Sequence, residues 1–269
     1  MIELNAVLTA RRDIAPGLAV FRIEPSGWEI KDFQAGQFAV IGLPGSAARC
    51  DGSDPEEEPS PPDKIVRRAY SIASSSLERQ YLEFYVVMVE SGALTPRLFA
   101  LQPGDKLWLG KKITGAFTLA NVPENHNLVL LSTGTGLAPY ISMLRSKLLH
   151  MRQSKVGVLH GARHSWDLGY QNELAMVERD FKDFVYLPSI TRPSGEKVPW
   201  PGLTGYIQDL WQQRPFAERW GFDPSPEHTH VLLCGNPAMI DTMIELLGQE
   251  GYQEHTKKTS GQIHLERYW

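Results

Sequence analysis

The sequence predicts a two-part molecule, an antiparallel β-barrel followed by an α/β domain built on a parallel sheet. Three observations carry this. Short β-rich runs punctuated by Gly or Pro fill the amino-terminal part. From about Asn127 onward, short apolar strands alternate with helical stretches, which demands crossover connections and parallel pairing. Between the two patterns lies Val122-Pro123-Glu124-Asn125, a polar junction containing a proline. The expected domains are therefore 1–122 and 123–269.

The first strands are Ala6-Val7-Leu8-Thr9-Ala10-Arg11, Leu18-Ala19-Val20-Phe21-Arg22-Ile23 and Gln37-Phe38-Ala39-Val40-Ile41-Gly42. Another spans 80–89, and Leu107-Trp108-Leu109-Gly110 follows the turn Pro103-Gly104-Asp105. In the second part Leu128-Val129-Leu130-Leu131-Ser132 reads as a buried strand. Tyr140, Met143, Leu144, Leu148 and Met151 then recur near helical spacing. Strands at 155–159, 184–190 and 230–233 alternate with helices at 171–181, near 207–213 and at 238–248, the last introduced by Pro237. Residues 45–63 are rich in Pro, Glu, Asp and Ser with almost no bulky apolar side chain. Such a segment buries too little surface to offset its ordering entropy, so a mobile surface loop is expected.

Bulk properties narrow the function. A net charge of −4 disfavours binding to nucleic acid or an anionic membrane, either of which calls for a basic face. No apolar run approaches the ~18 residues a membrane helix needs, so no stable membrane insertion is expected. Met1-Ile2-Glu3-Leu4-Asn5 lacks a basic stretch followed by an apolar one, so no signal peptide is expected. The two cysteines, Cys50 and Cys234, suit a reducing cytoplasm and exclude an iron–sulfur cluster held by four cysteines of this chain.

Four short motifs carry the chemistry. Arg68-Ala69-Tyr70-Ser71, at the start of a strand-like run, offers a planar cationic fork, an amphipathic ring and a small hydroxyl. An ordinary strand with outward Arg and Tyr is the alternative. Thr133-Gly134-Thr135-Gly136-Leu137-Ala138-Pro139 sits between strand and helix, where glycines allow close backbone approach and a helix start favours phosphate. Without a following Gly-Lys-Ser/Thr it is no P-loop. Cys234-Gly235-Asn236-Pro237 follows a third apolar run, although a buried strand cysteine is equally plain core. The chain closes on Glu266-Arg267-Tyr268-Trp269, two aromatics that would impair solubility unless they cover something. A fifth segment, Gly92-Ala93-Leu94-Thr95 before Pro96-Arg97-Leu98, reads as a glycine turn exposing amides to an anion, or as a simple helix start. No His-Glu-x-x-His, Gly-x-Ser-x-Gly or histidine set with metal-ligand spacing occurs; His228 and His230 alone are too little for a site.

In this order and spacing the motifs resemble the ferredoxin/flavodoxin–NADP+ reductase family, of the bacterial type and the subgroup ending in Tyr-Trp. The resemblance covers nearly the whole chain apart from 45–63. It implies an antiparallel β-barrel FAD domain and a Rossmann-like NADP(H) domain. Arg68, Ala69, Tyr70 and Ser71 would bind FAD, with Tyr85, Val86 and Val87 passing beside the isoalloxazine. Gly92, Leu94 and Thr95 would hold its pyrophosphate. Tyr268 would stack on the isoalloxazine and Trp269 pack near the adenine. Thr133, Gly134, Thr135, Gly136, Pro139, Gly235 and Pro237 would form the nucleotide cradle, and Arg163 and Arg192 would take the 2′-phosphate. Tyr206 stands where relatives commonly carry Arg; it can stack on adenine but cannot neutralise phosphate, so discrimination against NAD(H) is expected to weaken. Ser71, Cys234, Glu266 and Tyr268 would surround the hydride-transfer site, a plain surface carboxylate being the alternative for Glu266.

The implied activity moves hydride between NADP(H) and FAD, and single electrons between FAD and ferredoxin or flavodoxin, in a cytoplasmic monomer. Alternatives are a flavin or oxygenase reductase component of the same fold, a flavin relay without nucleotide turnover, and a role for 45–63 as an interaction module.

Overall fold

The computed structural model describes residues 3–267. The chain divides into two units, Met1–Thr118 with Ala138–Ser146, and Leu119–Leu137 with Lys147–Trp269. The first contains β1 (Ala6–Ala15), β2 (Leu18–Pro25), β3 (Phe38–Pro44), β4 (Ile65–Ser71), β5 (Leu82–Val87), α1 (Thr95–Ala100), β6 (Lys106–Leu109) and α2 (Ala138–Arg145). Its strands pair antiparallel in the order β4-β3-β6-β1-β2-β5. The two edges meet through an Ile72–Phe84 bridge, and the Ala73 amide donates to the Glu83 carbonyl at 2.7 Å. Closure removes the exposed edges a flat sheet would carry. Leu8, Phe21, Ile41, Phe84, Leu107 and Leu109 fill the interior, and Phe99 of α1 meets Phe21 edge-on at 5.3 Å.

Two expectations are corrected here. The Arg68–Ser71 motif ends a strand rather than starting one. Residues 45–63 form neither helix nor strand, yet they are tied down rather than left loose. The Cys50 amide donates to Pro96 O at 2.9 Å, the Asp54 amide to Glu90 O at 3.1 Å, and Glu56 pairs with Arg97 at 2.8 Å. Composition misjudges the segment because charged and backbone groups hold it, alongside Ala47 and Cys50, which pack on the barrel core.

The stretch read as one helix over 140–151 is two, α2 and α3 (Leu148–Met151), parted at Lys147 with φ 69°. Ser146 explains the break: its hydroxyl donates to Ser142 O at 2.6 Å and accepts the Ser76 amide at 2.8 Å. α2 is further tied by Ser142 Oγ to Ser74 O (2.7 Å) and by Arg145 to the buried Glu83 carboxylate (2.6 Å).

The second unit holds β7 (Asn127–Thr133), β8 (Val156–Ala162), α4 (Gln171–Asp180), β9 (Phe184–Ile190), β10 (Leu203–Thr204), α5 (Ile207–Gln212), α6 (Ala217–Trp220), β11 (Thr229–Gly235), α7 (Pro237–Gln249) and β12 (Ile263–Arg267), besides α3. All its strands run parallel, in the order β10-β9-β8-β7-β11-β12. Leu128 to Leu131 and the whole of β11 are buried, as parallel strands covered on both faces must be. Trp211, Phe216, Ile240, Met243 and Leu247 supply part of that cover. β12 escaped the sequence reading because only Ile263 and Leu265 mark it as apolar.

Five of the eight histidines gather in this unit around the amino ends of β7, β11 and β12. His230 Nδ1 lies 2.9 Å from His264 Nε2; His126 and His228 approach from one side, and His255 stacks on His264 at 4.8 Å. No group of three or more His, Cys, Asp or Glu among the described residues is arranged to hold a metal. Burial first, then the neighbouring His126, Arg152 and His255, pushes His230 down to about 4; burial, then His230 and His255, does the same for His264. Both are therefore neutral in the folded chain at neutral pH, while in the unfolded chain they titrate near 6.5.

Stability from this cluster is complete above pH 6.5 and drains away as the pH falls toward 4, because the unfolded chain takes up protons first. At pH 5 the first proton costs about 2 kcal/mol. Thermal unfolding at pH 7.5 and 5.0 should show the drop in Tm, and a His264→Gln variant should show a smaller one.

Candidate functional site

In the first unit, β4 is bonded to β3 with Ile41 opposite Arg68, Ala39 opposite Tyr70 and Phe38 opposite Ser71. Strand alternation sets Arg68 and Tyr70 on one face and Ala69 and Ser71 on the other. Arg68 is exposed, one guanidinium nitrogen donating to Arg67 O at 2.7 Å. Tyr70 rests half-buried on the barrel core, and burial raises its hydroxyl well above the ordinary value, so it remains a donor. Ser71 is buried. The Ile72–Phe84 bridge sets this motif beside β5, where Tyr85 and Val86 are buried and Val87 half-buried.

The turn into α1 is built from its carbonyls outward. Arg49 donates to Gly92 O at 3.0 Å, and Arg97 donates to Ala93 O at 2.5 Å. In a planar trans peptide the carbonyl and the following amide point in opposite directions. Holding those two carbonyls turns the amides of Ala93 and Leu94 the other way. Neither these nor the Thr95 amide reaches an acceptor among the described residues, although Leu94 and Thr95 are buried. Leu94 is the N-cap and Thr95 the first residue of α1, so their amides are among those a helix leaves without an internal partner. An acceptor-only anion is the chemistry that satisfies them. The Thr95 hydroxyl itself closes the turn, donating to Val89 O and accepting the Val89 amide, each at 3.0 Å.

In the second unit the chain leaves β7 toward β8 on one side and later fills β11 on the other. The carboxyl ends of β7 and β11 therefore flank the sheet's switch point, the place where open α/β sheets take ligands. Residues Gly134–Leu137 make a 3-10 turn there, starting at Gly134 with φ 54°, and α2 follows in the chain with Pro139 in its first turn. A methyl at Gly136 would overlap the Cys234 carbonyl, and one at Gly235 (φ 137°) would overlap the Thr133 hydroxyl. The two loops thus interlock: Thr133 Oγ1 accepts the Asn236 amide at 2.8 Å, and Asn236 Oδ1 caps α7 through the Ala238 amide at 2.8 Å, with Pro237 at the helix start. Thr135 is half-buried. Cys234 is fully buried and lies register-opposite Glu266 on β12. His160, beside Ser132 in the sheet, is pushed down to about 4 by burial and stays neutral.

Farther along the same edge, the Arg192 amide donates to Arg163 O at 2.9 Å, which places two exposed arginines side by side. Arg163 reaches Asp167 at 3.6 Å. Tyr206, 61% exposed, caps the start of α5. Tyr268 and Trp269 lie outside the described residues. The sequence reading missed Arg49, Glu56 and Arg97, which have no periodic or motif signal, and the exposed Trp166 stacked on His164 at 4.3 Å.

A family model described as an oxidoreductase NAD-binding domain matches residues 130–245. The flavodoxin/ferredoxin–NADP reductase of Escherichia coli K12 is 32% identical over 238 residues, 88% of each chain. The ferredoxin–NADP reductase of Azotobacter vinelandii is 32% identical over 224 residues, 80% of this chain and 78% of that one. Among solved structures, a ferredoxin NADP+ reductase from Neisseria gonorrhoeae with bound FAD and NADP aligns with a TM-score of 0.81 at 25% identity, over 98% of both chains.

The interlocked loops set an order of tolerance. Gly134→Ala meets open space and costs roughly 1–2 kcal/mol for its left-handed backbone. Gly136→Ala collides with backbone and costs about 3 kcal/mol or more. Calorimetric Tm values of the two variants should differ in that order.

Proposed function

This chain belongs to the flavodoxin/ferredoxin–NADP reductase family, and we propose that its two units divide that family's work between a flavin half and a nucleotide half. The observation that carries the division is the pair of buried, unpartnered amides at Leu94 and Thr95. They suit the FAD diphosphate, with the Ala93 amide beside them and Gly92 making the turn. Arg68 adds a cationic fork, and the Tyr70 hydroxyl, kept protonated, donates to the ribityl or phosphate oxygens. Tyr85, Val86 and Val87 supply the wall beside the ring, with Ala69 and Ser71 next to it on β4. When bound, FAD accepts hydride from NADPH and releases electrons one at a time to ferredoxin or flavodoxin, or runs in reverse.

The nucleotide half acts by position. The turn from Thr133 through Gly136 brings backbone close to the pyrophosphate, and Gly235 and Pro237 close the other side of the crevice. Cys234 and Glu266, register neighbours at the strand ends, orient the nicotinamide. For Tyr268 and Trp269, which lie outside the described residues, the family resemblance implies places against the flavin ring and near the FAD adenine. Arg163 and Arg192, joined through their backbones, clamp the 2′-phosphate, while Tyr206 stacks on the adenine without adding charge. Both cysteines are free, which suits the cytoplasm. The large exposed apolar side chains come from separate segments, which supports a monomer. Among the described residues no helix is long and apolar enough to cross a membrane.

Anaerobic titration with NADPH, beside NADH, tests this reading. The flavin absorbance should bleach at lower NADPH than NADH; a chain that binds no FAD overturns the reading. Arg163→Gln and Arg192→Gln should each raise the KM for NADPH about ten-fold and leave that for NADH in place.

A further inference from the structure

We propose that residues 45–63 are a strap that sets how tightly the chain retains FAD, with Arg49, Glu56 and Arg97 as positioning residues. This rests on the reading that the 92–95 turn holds the FAD diphosphate.

The strap is clasped at one point. Arg97 is only 2% exposed and spends its guanidinium on four acceptors: both Glu56 oxygens at 2.8 Å, Gly45 O at 2.7 Å and Ala93 O at 2.5 Å. Two of those partners, Gly45 and Glu56, belong to the strap, and one belongs to the turn. Arg49, from the strap, donates to Gly92 O at 3.0 Å, Glu90 O at 3.1 Å and Asp54 O at 2.6 Å, and lies 3.6 Å from Glu56. The Glu56 carboxylate thus stands between two arginines, each of which grips one carbonyl of the turn. The hydrogen bond from Arg97, reinforced by Ser60, holds its carboxyl down at about 2, so the clasp stays charged throughout the ordinary pH range.

The consequence follows from peptide planarity. The carbonyls of Gly92 and Ala93 face the strap, so the amides of Ala93 and Leu94 face away from it. If the clasp opens, those peptides gain freedom to rotate, and the donors must be ordered again each time the diphosphate binds. Preorganised donors bind an anion more tightly than loose ones for this reason. Bidentate charge-assisted pairing between Arg97 and Glu56 is the strongest contact in the strap, and a buried arginine left without its carboxylate would not keep its place.

Two effects oppose each other when the clasp is altered. Glu56→Gln loosens the turn but leaves the surroundings more positive, which by itself would favour a diphosphate. Arg49→Gln loosens the turn and removes a positive charge. Positioning therefore predicts weaker FAD binding in both variants, whereas electrostatics alone predicts opposite signs.

The test uses purified holoprotein. Stepwise dilution, followed by the fluorescence of released flavin, gives the Kd for FAD. Displacement of FAD by riboflavin, which has the ring and ribityl chain but no phosphate, gives the ratio of the two affinities. Both variants should raise the FAD Kd about ten-fold and lower the FAD-to-riboflavin ratio by a similar factor. Opposite changes in the two variants, an unchanged FAD Kd, or equal weakening of both flavins (a general loss of fold) would each overturn the strap. A wild-type chain without FAD would overturn the underlying reading and the strap with it; tight wild-type binding with unaltered variants removes the strap alone.

Discussion

A peptide plane cannot turn its carbonyl one way without turning the adjoining amide the other, and both halves of this protein are organised by that constraint. In the first unit, arginines hold the carbonyls of Gly92 and Ala93, which turns the adjoining amides the other way. In the second, glycines at 136 and 235 let two strand ends approach until side-chain atoms would collide. The Thr133 hydroxyl then takes the Asn236 amide that the junction would otherwise leave unpaired. In each case backbone donors are placed by what is done with their neighbours, and the scaffold that permits it is conventional: a closed antiparallel barrel and a parallel sheet with a switch point.

Charge is used differently in the two units. In the first unit, ion pairs with one buried member serve as fasteners: Arg97 with Glu56 holds the 45–63 segment, and half-buried Arg145 with Glu83 holds α2. Taking such charges out of water is costly, and at Arg97 the cost is offset by four hydrogen bonds from its two terminal nitrogens, while its Nε stays buried without a partner among the described residues. In the nucleotide half the arginines at 163 and 192 stay exposed, and burial instead keeps His160, His230 and His264 neutral. The arginines that fasten segments are paired with buried or half-buried carboxylates, while Arg163 and Arg192 remain at the surface.

The fold class was legible in the sequence because it depends on periodicity and punctuation. The barrel strands show β-branched and aromatic runs broken by Gly and Pro, and the parallel strands show short apolar blocks followed by helices. The Gly-rich turn after β7 was equally legible, since an apolar strand and a helical pattern flank it. What misled was composition. Residues 45–63 have almost no bulky apolar side chain, and an argument from hydrophobic burial cannot see a segment held largely by two arginines and backbone carbonyls. Periodicity likewise ran through Ser146 and Lys147, because it does not register the Ser146 hydroxyl, which bonds back to Ser142 within the helix and takes the amide of Ser76 from far away in sequence.

The sequence by itself determined the two-part division, most of the strands and helices in each part, the glycine turns and the family to which these belong, because those are local properties of neighbouring residues. Only the tertiary structure decided which amides remain without partners, that Arg192 and Arg163 stand together, that Cys234 and Glu266 are register neighbours, and that Glu56 clasps Arg97. Each of those joins residues distant along the chain. Hydrogen bonds and ion pairs depend on distances of a few ångströms, and such distances exist only once the chain has closed on itself.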